Sequence, residues 1–264
     1  MATKGAISHT MGYDEVAQTW RALCHDGRKL VGQPYDVQLA GWRTRPEFYG
    51  ARVADMTGWV DNGFIAPGMD VKPGRPVIDR AKIRRNDFDG DLDVELMLQG
   101  DDRPYLRRDK RKRQAGVTLR LQFNFLADVP ASVLADYGQW VAELIAGLQG
   151  QSFDLQIDVF SDVTMEGRKV STEIRVKRFG KRSSLKSWGA LFSPAGYRML
   201  GFTARMMCCR EHGVRCHRSM GASIAPGWDL RFDEEARVLT VACHAHARHF
   251  PREMMDGKLA ALSI

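Results

Sequence analysis

The chain has 264 residues, of which 44% are hydrophobic, 9% are aromatic and 27% are charged, and its formal net charge is +7 at pH 7. This hydrophobic content supports a sizeable core and excludes wholesale disorder, and the length allows one large domain or two small ones. The sequence contains no apolar run of the roughly 18–20 residues that span a bilayer, and its N-terminus lacks the apolar core of a signal peptide. We therefore expect a cytoplasmic protein that has no membrane contact.

The N-terminal part of the chain predicts one clear helix. Residues 13–28 carry Val16, Trp20 and Leu23 at helical spacing and end near Gly27. The following stretch, to about residue 79, is rich in glycine and proline and has poor periodicity. We expect residues 1–80 to form an irregular and helical segment packed on a core domain of residues 81–264, the whole being one compact unit.

The middle of the chain has the clearest periodicity. Residues 117–125 alternate strictly between apolar and polar side chains, which predicts a strand with one buried face. A helix is predicted from Pro130 to Gly150, and residues 153–160 alternate again. Strand, helix and strand in this order predict a crossover unit. Residues 170–177 predict a further strand after a turn at Gly167.

The C-terminal part adds two helices and a strand. Ser193 and Pro194 have the N-cap and first-turn chemistry that begins a helix, which we expect to reach Met207. Residues 237–243 predict a strand, and a short helix rich in Met and Leu follows. Together these elements predict an α/β fold, with a central mixed β-sheet, flanking helices and the irregular N-terminal segment packed on it.

Positive charge is concentrated in two runs of the sequence. Six of the seven residues 107–113 are cationic, and residues 175–186 carry six cations and no acid. These twelve cations exceed the net charge of +7, so the rest of the chain is close to neutral or acidic. Localised charge of this kind is typical of nucleic-acid-binding proteins, and solvated loops are the alternative interpretation.

Single-strand binding needs cations that contact phosphates and exposed rings on which bases stack. Tyr105 and Phe179 are the predicted stacking residues, because cations or glycine surround them. Trp188 shares an apolar helix stripe with Leu185, so we expect it in the core. The predicted phosphate contacts are Arg107, Arg108, Lys110, Arg111, Lys112, Arg113, Arg175, Lys177, Arg178, Lys181 and Arg182, with Trp42, Arg43 and Arg45 as a further patch.

The two runs are expected to differ in rigidity. Residues 107–113 lie between Pro104 and Gly116, which predicts a mobile arm or loop. Arg175 and Lys177 belong to a predicted strand, on the face opposite Ile174, and are therefore expected to be rigid and solvent-facing.

Several scattered motifs resemble a known group of proteins. A Gly–Asp-Val–Gly–Pro pattern is followed by a strand that carries Asn124 and, later, by a helix over residues 194–202; the pattern consists of Gly90, Asp93, Val94, Gly100 and Pro104. With these motifs, residues 89–207 resemble functionally unassigned bacteriophage proteins. The resemblance implies a phage origin and a fold similar to the von Willebrand factor A domain.

That resemblance does not extend to the metal site of the A domain. The domain binds a divalent ion through Asp-x-Ser-x-Ser at the end of its first strand, whereas residues 124–128 here read Asn-Phe-Leu-Ala-Asp. Only Asp128 remains as a carboxylate, and a hard cation needs several oxygen ligands. We therefore predict no metal site.

In size and charge distribution the chain is also similar to small phage proteins that bind single-stranded DNA as RNA polymerase cofactors.

Other chemical motifs are incomplete. The five cysteines form an odd set that is expected to remain as free thiols, and Cys208, Cys209, Cys216 and Cys243 lack the C-x(2–4)-C spacing of structural zinc sites. Zinc binding by Cys209 and Cys216 with late histidines is the alternative. The sequence has no P-loop, nucleophile elbow or dinucleotide fingerprint, so we expect neither a cofactor nor an enzyme.

These observations predict a phage-encoded, non-enzymatic nucleic-acid-binding protein. Single-stranded DNA is the favoured ligand, phage transcription or replication is the expected role, and a phage RNA polymerase is a candidate partner. Two alternatives remain: a structural or scaffold protein whose basic loops contact an acidic partner, and a metal-dependent enzyme.

Overall fold

The computed structural model describes residues 6–25, 53–65, 83–86, 91–92, 97–98, 105–108, 116–125, 129–151, 153–165, 167–181, 185–214, 222–223 and 227–262. The strands are β1 (Ile7–Gly12), β2 (Ile83–Asn86), β3 (Asp91–Leu92), β4 (Tyr105–Arg108), β5 (Gly116–Gln122), β6 (Asp154–Met165), β7 (Arg168–Lys177), β8 (Ala222–Ser223), β9 (Asp229–Asp233) and β10 (Val238–Ala242). The helices are α1 (Tyr13–His25), α2 (Val53–Asn62), α3 (Ala131–Gly150), α4 (Leu185–Trp188), α5 (Pro194–Glu211) and α6 (Arg252–Ala260), with a 3-10 turn at Gly189–Phe192.

A seven-stranded mixed sheet organises the described residues. Its strand order is β1-β7-β6-β5-β10-β9, and β8 pairs with β6 beside this path. Strand β5 is parallel to β6 and β10, and β1 is parallel to β7, whereas the β6–β7 and β9–β10 pairs are antiparallel. A second, three-stranded sheet has the order β2-β4-β3. The predicted α/β class with a mixed sheet and flanking helices is therefore confirmed.

The predicted elements of the core lie where the periodicity put them. Strand β5, helix α3 and strand β6 form the expected crossover between parallel neighbours. Helix α5 begins as its sequence indicates: Ser193 Oγ accepts a hydrogen bond from Gly196 N at 3.0 Å, and Pro194 occupies the first turn. The division between residues 1–80 and 81–264 stays a prediction.

The sequence pattern did not reveal β1 and β9. Strand β1 lies at one edge of the large sheet and has only Ile7 and Met11 as apolar side chains that could indicate a buried face. Its six residues pair in parallel with β7, from Ile7 opposite Val170 to Gly12 opposite Arg175. The N-terminal segment thus contributes a strand to the main sheet as well as helix α1.

One face of the sheet carries the hydrophobic core. Alternate residues of β5 and β6, among them Leu119, Leu121 and Ile157, are fully or almost fully buried. They join one hydrophobic cluster with aromatic side chains of α3 and the 3-10 turn, including Trp140 and Phe192. Alternation of period two on these strands therefore produces the face that the helices cover.

The other face of the same strands carries paired charges. Asp158 in β6 is only 2% exposed and bonds the guanidinium of Arg175, with Nε–Oδ1 at 2.9 Å and Nη2–Oδ2 at 3.2 Å. Arg120 in β5 contacts a single oxygen of Glu173, Oε2, with Nε at 3.0 Å and Nη2 at 2.9 Å. Asp162 pairs with Lys169 at 2.8 Å. Strand β6 is buried on both faces over this stretch, and its carboxylates are accommodated because neighbouring strands supply cations.

A side chain extends the pairing between β5 and β6 beyond the end of β5. Asn124 follows the strand and is 1% exposed. Its Oδ1 accepts from Asp162 N at 2.9 Å, and its Nδ2 donates to the carbonyl oxygen of Asp162. The carboxamide therefore bonds both backbone groups of one residue, as a neighbouring strand would. Asn124, part of the phage-like motif, thus has a structural role.

We predict that Asn124→Ala lowers the free energy of unfolding by about 2–4 kcal/mol, because it leaves a buried N–H and a buried carbonyl without partners. Urea unfolding followed by circular dichroism measures this change. Gln151→Ala, at an exposed turn position, is the control and is expected to change the stability by less than about 0.5 kcal/mol. Equal effects of the two substitutions would contradict the bridging role.

Candidate nucleic-acid interface

The second basic run lies at one end of the large sheet, where its strands begin or end. We call this end of the sheet the turn edge. Strands β1 and β7 end there, and strands β5, β6 and β10 begin there, because Gly116 pairs with Asp154 and Gly12 pairs with Arg175. The N-terminal end of α1 directly follows β1 at this edge. Residues distant in the sequence are thereby brought together.

A β-bulge changes the orientation of the last residue of β7. Ile157 pairs with Lys177 and Asp158 pairs with Arg175, so β7 has one extra residue, Val176, at this point. Buried positions alternate along β7 up to Ile174, and the next buried residue is Lys177 rather than Val176. The bulge therefore turns Lys177 into the protein.

The predicted solvent exposure of Lys177 is consequently wrong. Its side chain is 7% exposed, and Nζ donates to the carbonyl oxygens of Leu155 and Arg178. The carboxylate of Asp154 lies 3.6 Å from Nζ. Burial lowers the pKa of the Lys177 ammonium group, and Asp154 acts in the opposite direction. Lys177 is a structural anchor that cannot reach a phosphate without leaving these partners.

Arg175 is half-buried rather than fully solvent-facing. The hydrogen bond with Asp158 raises the pKa of its guanidinium, and Glu173 lies 3.7 Å away. Two carboxylates thus compensate its charge. The predicted phosphate contact of Arg175 is not supported by this geometry.

The residues after Lys177 form a short exposed turn, residues 178–181, which we call the basic turn. Lys181 N donates to Arg178 O at 3.2 Å, and Gly180 adopts φ +68°, a conformation that favours glycine. Gly180 N donates to the carboxylate of Asp154, with the shorter distance 2.8 Å. The side chain of Asp154 therefore fixes both the turn and the buried Lys177.

The basic turn carries one cation before an aromatic residue in the sequence and one cation after it. Arg178 and Lys181 are exposed, and Phe179 is 42% exposed. Within the described part of the chain, neither Arg178 nor Lys181 has a carboxylate partner. The sequence prediction of exposure is thus correct for these three residues.

The ring of Phe179 lies against the first residue of β5. A Cβ built on Gly116 would be 3.0 Å from Phe179 Cε1, so a side chain at this position would require the ring to shift by a few tenths of an ångström. Arg237, an exposed residue that the sequence analysis missed, donates from Nε to Gly116 O at 2.9 Å. The sequence around Arg237 does not indicate a place in a basic surface, because the turn that contains it is rich in acids.

Those acids limit the basic surface. Asp233 at the end of β9 and Glu234 and Glu235 in the turn before β10 are exposed, and Arg237 ends the same turn. The turn edge is therefore basic beside β7 and acidic beside β9. An anionic ligand is therefore attracted more strongly to the β7 side.

A cavity of about 690 Å³ opens beside the basic turn. We call it the basic cavity. Its lining comprises Gly12, Tyr13 and Asp14 at the start of α1, Val60, Asp61, Asn62 and Gly63 at the end of α2, Arg175, Val176, Lys177, Arg178 and Lys181 from β7 and the basic turn, and Lys186 and Ser187 in α4. The lining residues thus include five cationic and two acidic residues.

The remaining predicted site residues fall into two groups. Tyr105, Arg107 and Arg108 belong to β4, so the prediction of a mobile arm is wrong for Arg107 and Arg108. Outside the described residues lie Lys110, Arg111, Lys112, Arg113, Arg182, Trp42, Arg43 and Arg45. Trp188 is buried at 2% exposure, as predicted.

The late cysteines lie in the core. Cys208, Cys209 and Cys243 are free and buried, and burial raises the pKa of the Cys208 and Cys243 thiols to about 12. Among the residues that the structure describes, no three His, Cys, Asp or Glu side chains form a metal-binding group.

None of the described helices has the length and hydrophobicity to cross a bilayer.

Comparison with known proteins gives one match. Residues 76–245 match the family described as Domain of unknown function (DUF7192). The matched range covers well over half of the chain and includes β5, β6, β7 and the basic turn. No curated protein and no solved structure matches the chain. The resemblance to phage proteins stays a prediction.

We predict that Lys177→Glu lowers the free energy of unfolding by about 3–5 kcal/mol, because it buries an unpaired carboxylate beside Asp154. Lys181→Glu makes the same charge change at an exposed position and is expected to cost less than about 0.5 kcal/mol. Urea unfolding of both variants tests the difference. A Lys177→Glu protein as stable as Lys181→Glu would show that Lys177 is solvent-facing after all.

Proposed function

This chain belongs to the DUF7192 family, and we propose that it is a non-enzymatic protein that binds nucleic acid, preferentially single strands, at the basic turn. The observation that carries this proposal is the sequence of side chains on the turn. Arg178 and Lys181 are exposed cations without a carboxylate partner in the described residues, and they flank the exposed ring of Phe179.

Cations on a short turn with a restrained backbone suit phosphate binding. The hydrogen bond from Gly180 N to Asp154 restrains the turn before any ligand arrives. Immobilising a long side chain on binding costs about 0.5–1.5 kcal/mol, and restraint of the backbone reduces the further ordering that is required. The turn therefore presents its charges to a polyanion at a reduced entropic cost.

The aromatic ring favours single strands over duplexes. Bases of a single strand are free to stack on a protein ring, and each stack contributes about 1–3 kcal/mol. Phe179 is supported by Gly116 on one side and exposed over 42% of its surface. In a duplex the bases already stack on each other, so this contribution is absent.

The sequence joins the first basic run to the same edge. Gly116, which Phe179 contacts, follows Arg113 by three positions. In the sequence, the first basic run is therefore followed within three positions by a residue of the turn edge. Single-stranded DNA and a role in phage transcription or replication, with a phage polymerase as partner, remain extensions of this proposal that rest on the sequence resemblance.

Charge reversal of the basic turn tests the proposal. Fluorescence anisotropy with a labelled oligothymidine is expected to show that the affinity of the wild type falls steeply with salt, by a slope of about 0.7 per phosphate neutralised. Arg178→Glu and Lys181→Glu should each weaken binding and reduce that slope by about one contact. Arg231→Glu is the matched control, because Arg231 is a 79% exposed cation on β9, at the opposite end of the strand order.

Phe179→Ala distinguishes single-strand from duplex binding. It is expected to weaken the binding of oligothymidine by about 1–3 kcal/mol and to affect a duplex of equal length much less. Binding that does not respond to salt, or a loss in Arg231→Glu equal to that in Lys181→Glu, would refute the proposed interface. Capture of an acidic protein in place of nucleic acid would favour the scaffold alternative.

A further inference from the structure

The basic cavity has the size of a small-molecule site. Its volume of about 690 Å³ lies within the range of roughly 300–1,000 Å³ that ligand pockets occupy. Helices α1, α2 and α4 and the end of β7 all contribute to its walls. Contact with a phosphate backbone alone requires only an exposed basic surface, so a concave recess of this size, open to solvent on one side, suits a ligand that enters it.

The basic turn supplies cations to the cavity that no carboxylate of the described residues compensates. Arg175 is bonded to Asp158, and Lys177 lies beside Asp154. Asp61 on the α2 wall is paired with Arg21. The cations that remain without a carboxylate partner, within the described residues, include Arg178 and Lys181. A phosphate group in the cavity would therefore be attracted to the wall that the basic turn forms.

The N-terminal end of α1 is not the anion-binding element. Glu15 Oε2 accepts from Gly12 N at 3.4 Å, so a carboxylate of the helix already lies at its own N-terminus. Asp14 adds a second acid in the first turn. Both acids disfavour an anion at this end of the cavity and favour its position beside Arg178 and Lys181.

The α2 wall offers neutral polar and apolar groups. Asn62 provides a carboxamide that donates and accepts hydrogen bonds, and Val60 provides an apolar surface. Tyr13 contributes to the same cavity, and burial raises the pKa of its hydroxyl to about 12, so the side chain is neutral at physiological pH. This wall matches the flat heterocycle and sugar of a nucleotide better than it matches a second charged group.

We propose that the basic cavity is a subsite for one nucleotide, with the phosphate at Arg178 and Lys181 and the nucleoside against the α2 wall. The inference rests on the proposed function, because the cavity lies beside the turn to which nucleic-acid binding is assigned. A nucleotide of a bound strand and a free nucleoside monophosphate have the same chemistry, and the experiment separates these two sources.

Calorimetric titration with the four nucleoside 5′-monophosphates, their nucleosides and inorganic phosphate tests the subsite. At least one monophosphate is expected to bind about tenfold more tightly than either its nucleoside or phosphate, since only the nucleotide uses both walls. Lys181→Glu should weaken that binding about tenfold through the loss of a charged contact, whereas Arg231→Glu should leave it unchanged. Equal affinities for phosphate and all monophosphates would overturn the proposal.

Filling the cavity separates the subsite from the interface. Asn62→Trp, at an exposed position of α2, and Ser187→Trp, on α4, each place a large side chain in the cavity without changing a cation of the turn. Both are expected to weaken mononucleotide binding at least tenfold, and Asn62→Ala, which leaves the cavity open, is the control. Thermal unfolding verifies that each variant is folded.

The combined outcomes distinguish this inference from the proposed function. If the tryptophan variants also weaken oligothymidine binding, the cavity holds a nucleotide of the strand; if they spare it, the cavity holds a free nucleotide. Oligothymidine binding through the turn without any preference for monophosphates would overturn the subsite and leave the proposed function intact. Mononucleotide binding that depends on Lys181, without binding of oligonucleotides, would overturn the proposed function and support the subsite.

Discussion

The β-bulge at Val176 places an ammonium group inside the protein and leaves the next four residues outside it. Lys177 is held there by the carbonyl oxygen of Leu155 and by Asp154, and Asp154 also accepts the Gly180 amide. A single carboxylate thus joins the end of the sheet to the basic turn. Without the extra residue, the side chain of Lys177 would continue the alternation of β7 and point to the opposite face.

Charge pairing on the sheet determines which cations are available to a ligand. Strand β6 is buried on both faces, and its acids Asp158 and Asp162 require partners from β7. Arg175 pairs with Asp158 for this reason, and Lys177 lies beside Asp154. The number of cations in the second run therefore exceeds the number that can contact a phosphate. Local pairing, rather than net charge, limits the proposed interface to the turn and to the cavity beside it.

Much of the fold could be predicted because its strands and helices have clear periods. The crossover of β5, α3 and β6 and the cap at Ser193 follow from local sequence and were confirmed. Strand β1 was missed because an edge strand buries few side chains. The candidate site was only partly predictable. Exposure of Phe179 followed from its neighbours, but the burial of Lys177 depends on a register shift between two strands that no pattern within one strand reveals.

The role of Arg237 and the basic cavity could not be predicted for a different reason. Arg237 reaches Gly116 across 121 positions of the sequence, and the cavity combines α1, α2, α4 and β7. Proximity of this kind arises from the sheet order and from the packing of the helices, which no local sequence pattern reveals. The acidic β9–β10 turn likewise acquires its importance only because β10 lies beside β5.

Amide chemical shifts recorded while oligothymidine is added at low salt test the central claim most directly. The account predicts that the largest changes occur at the amides of residues 178–181, above all at Gly180, whose N–H bonds Asp154. The amides of β9 and β10 should remain unchanged. Saturable binding whose largest shift changes lie on β9 and β10, with Gly180 unaffected, would contradict the assignment of the basic turn as the nucleic-acid interface.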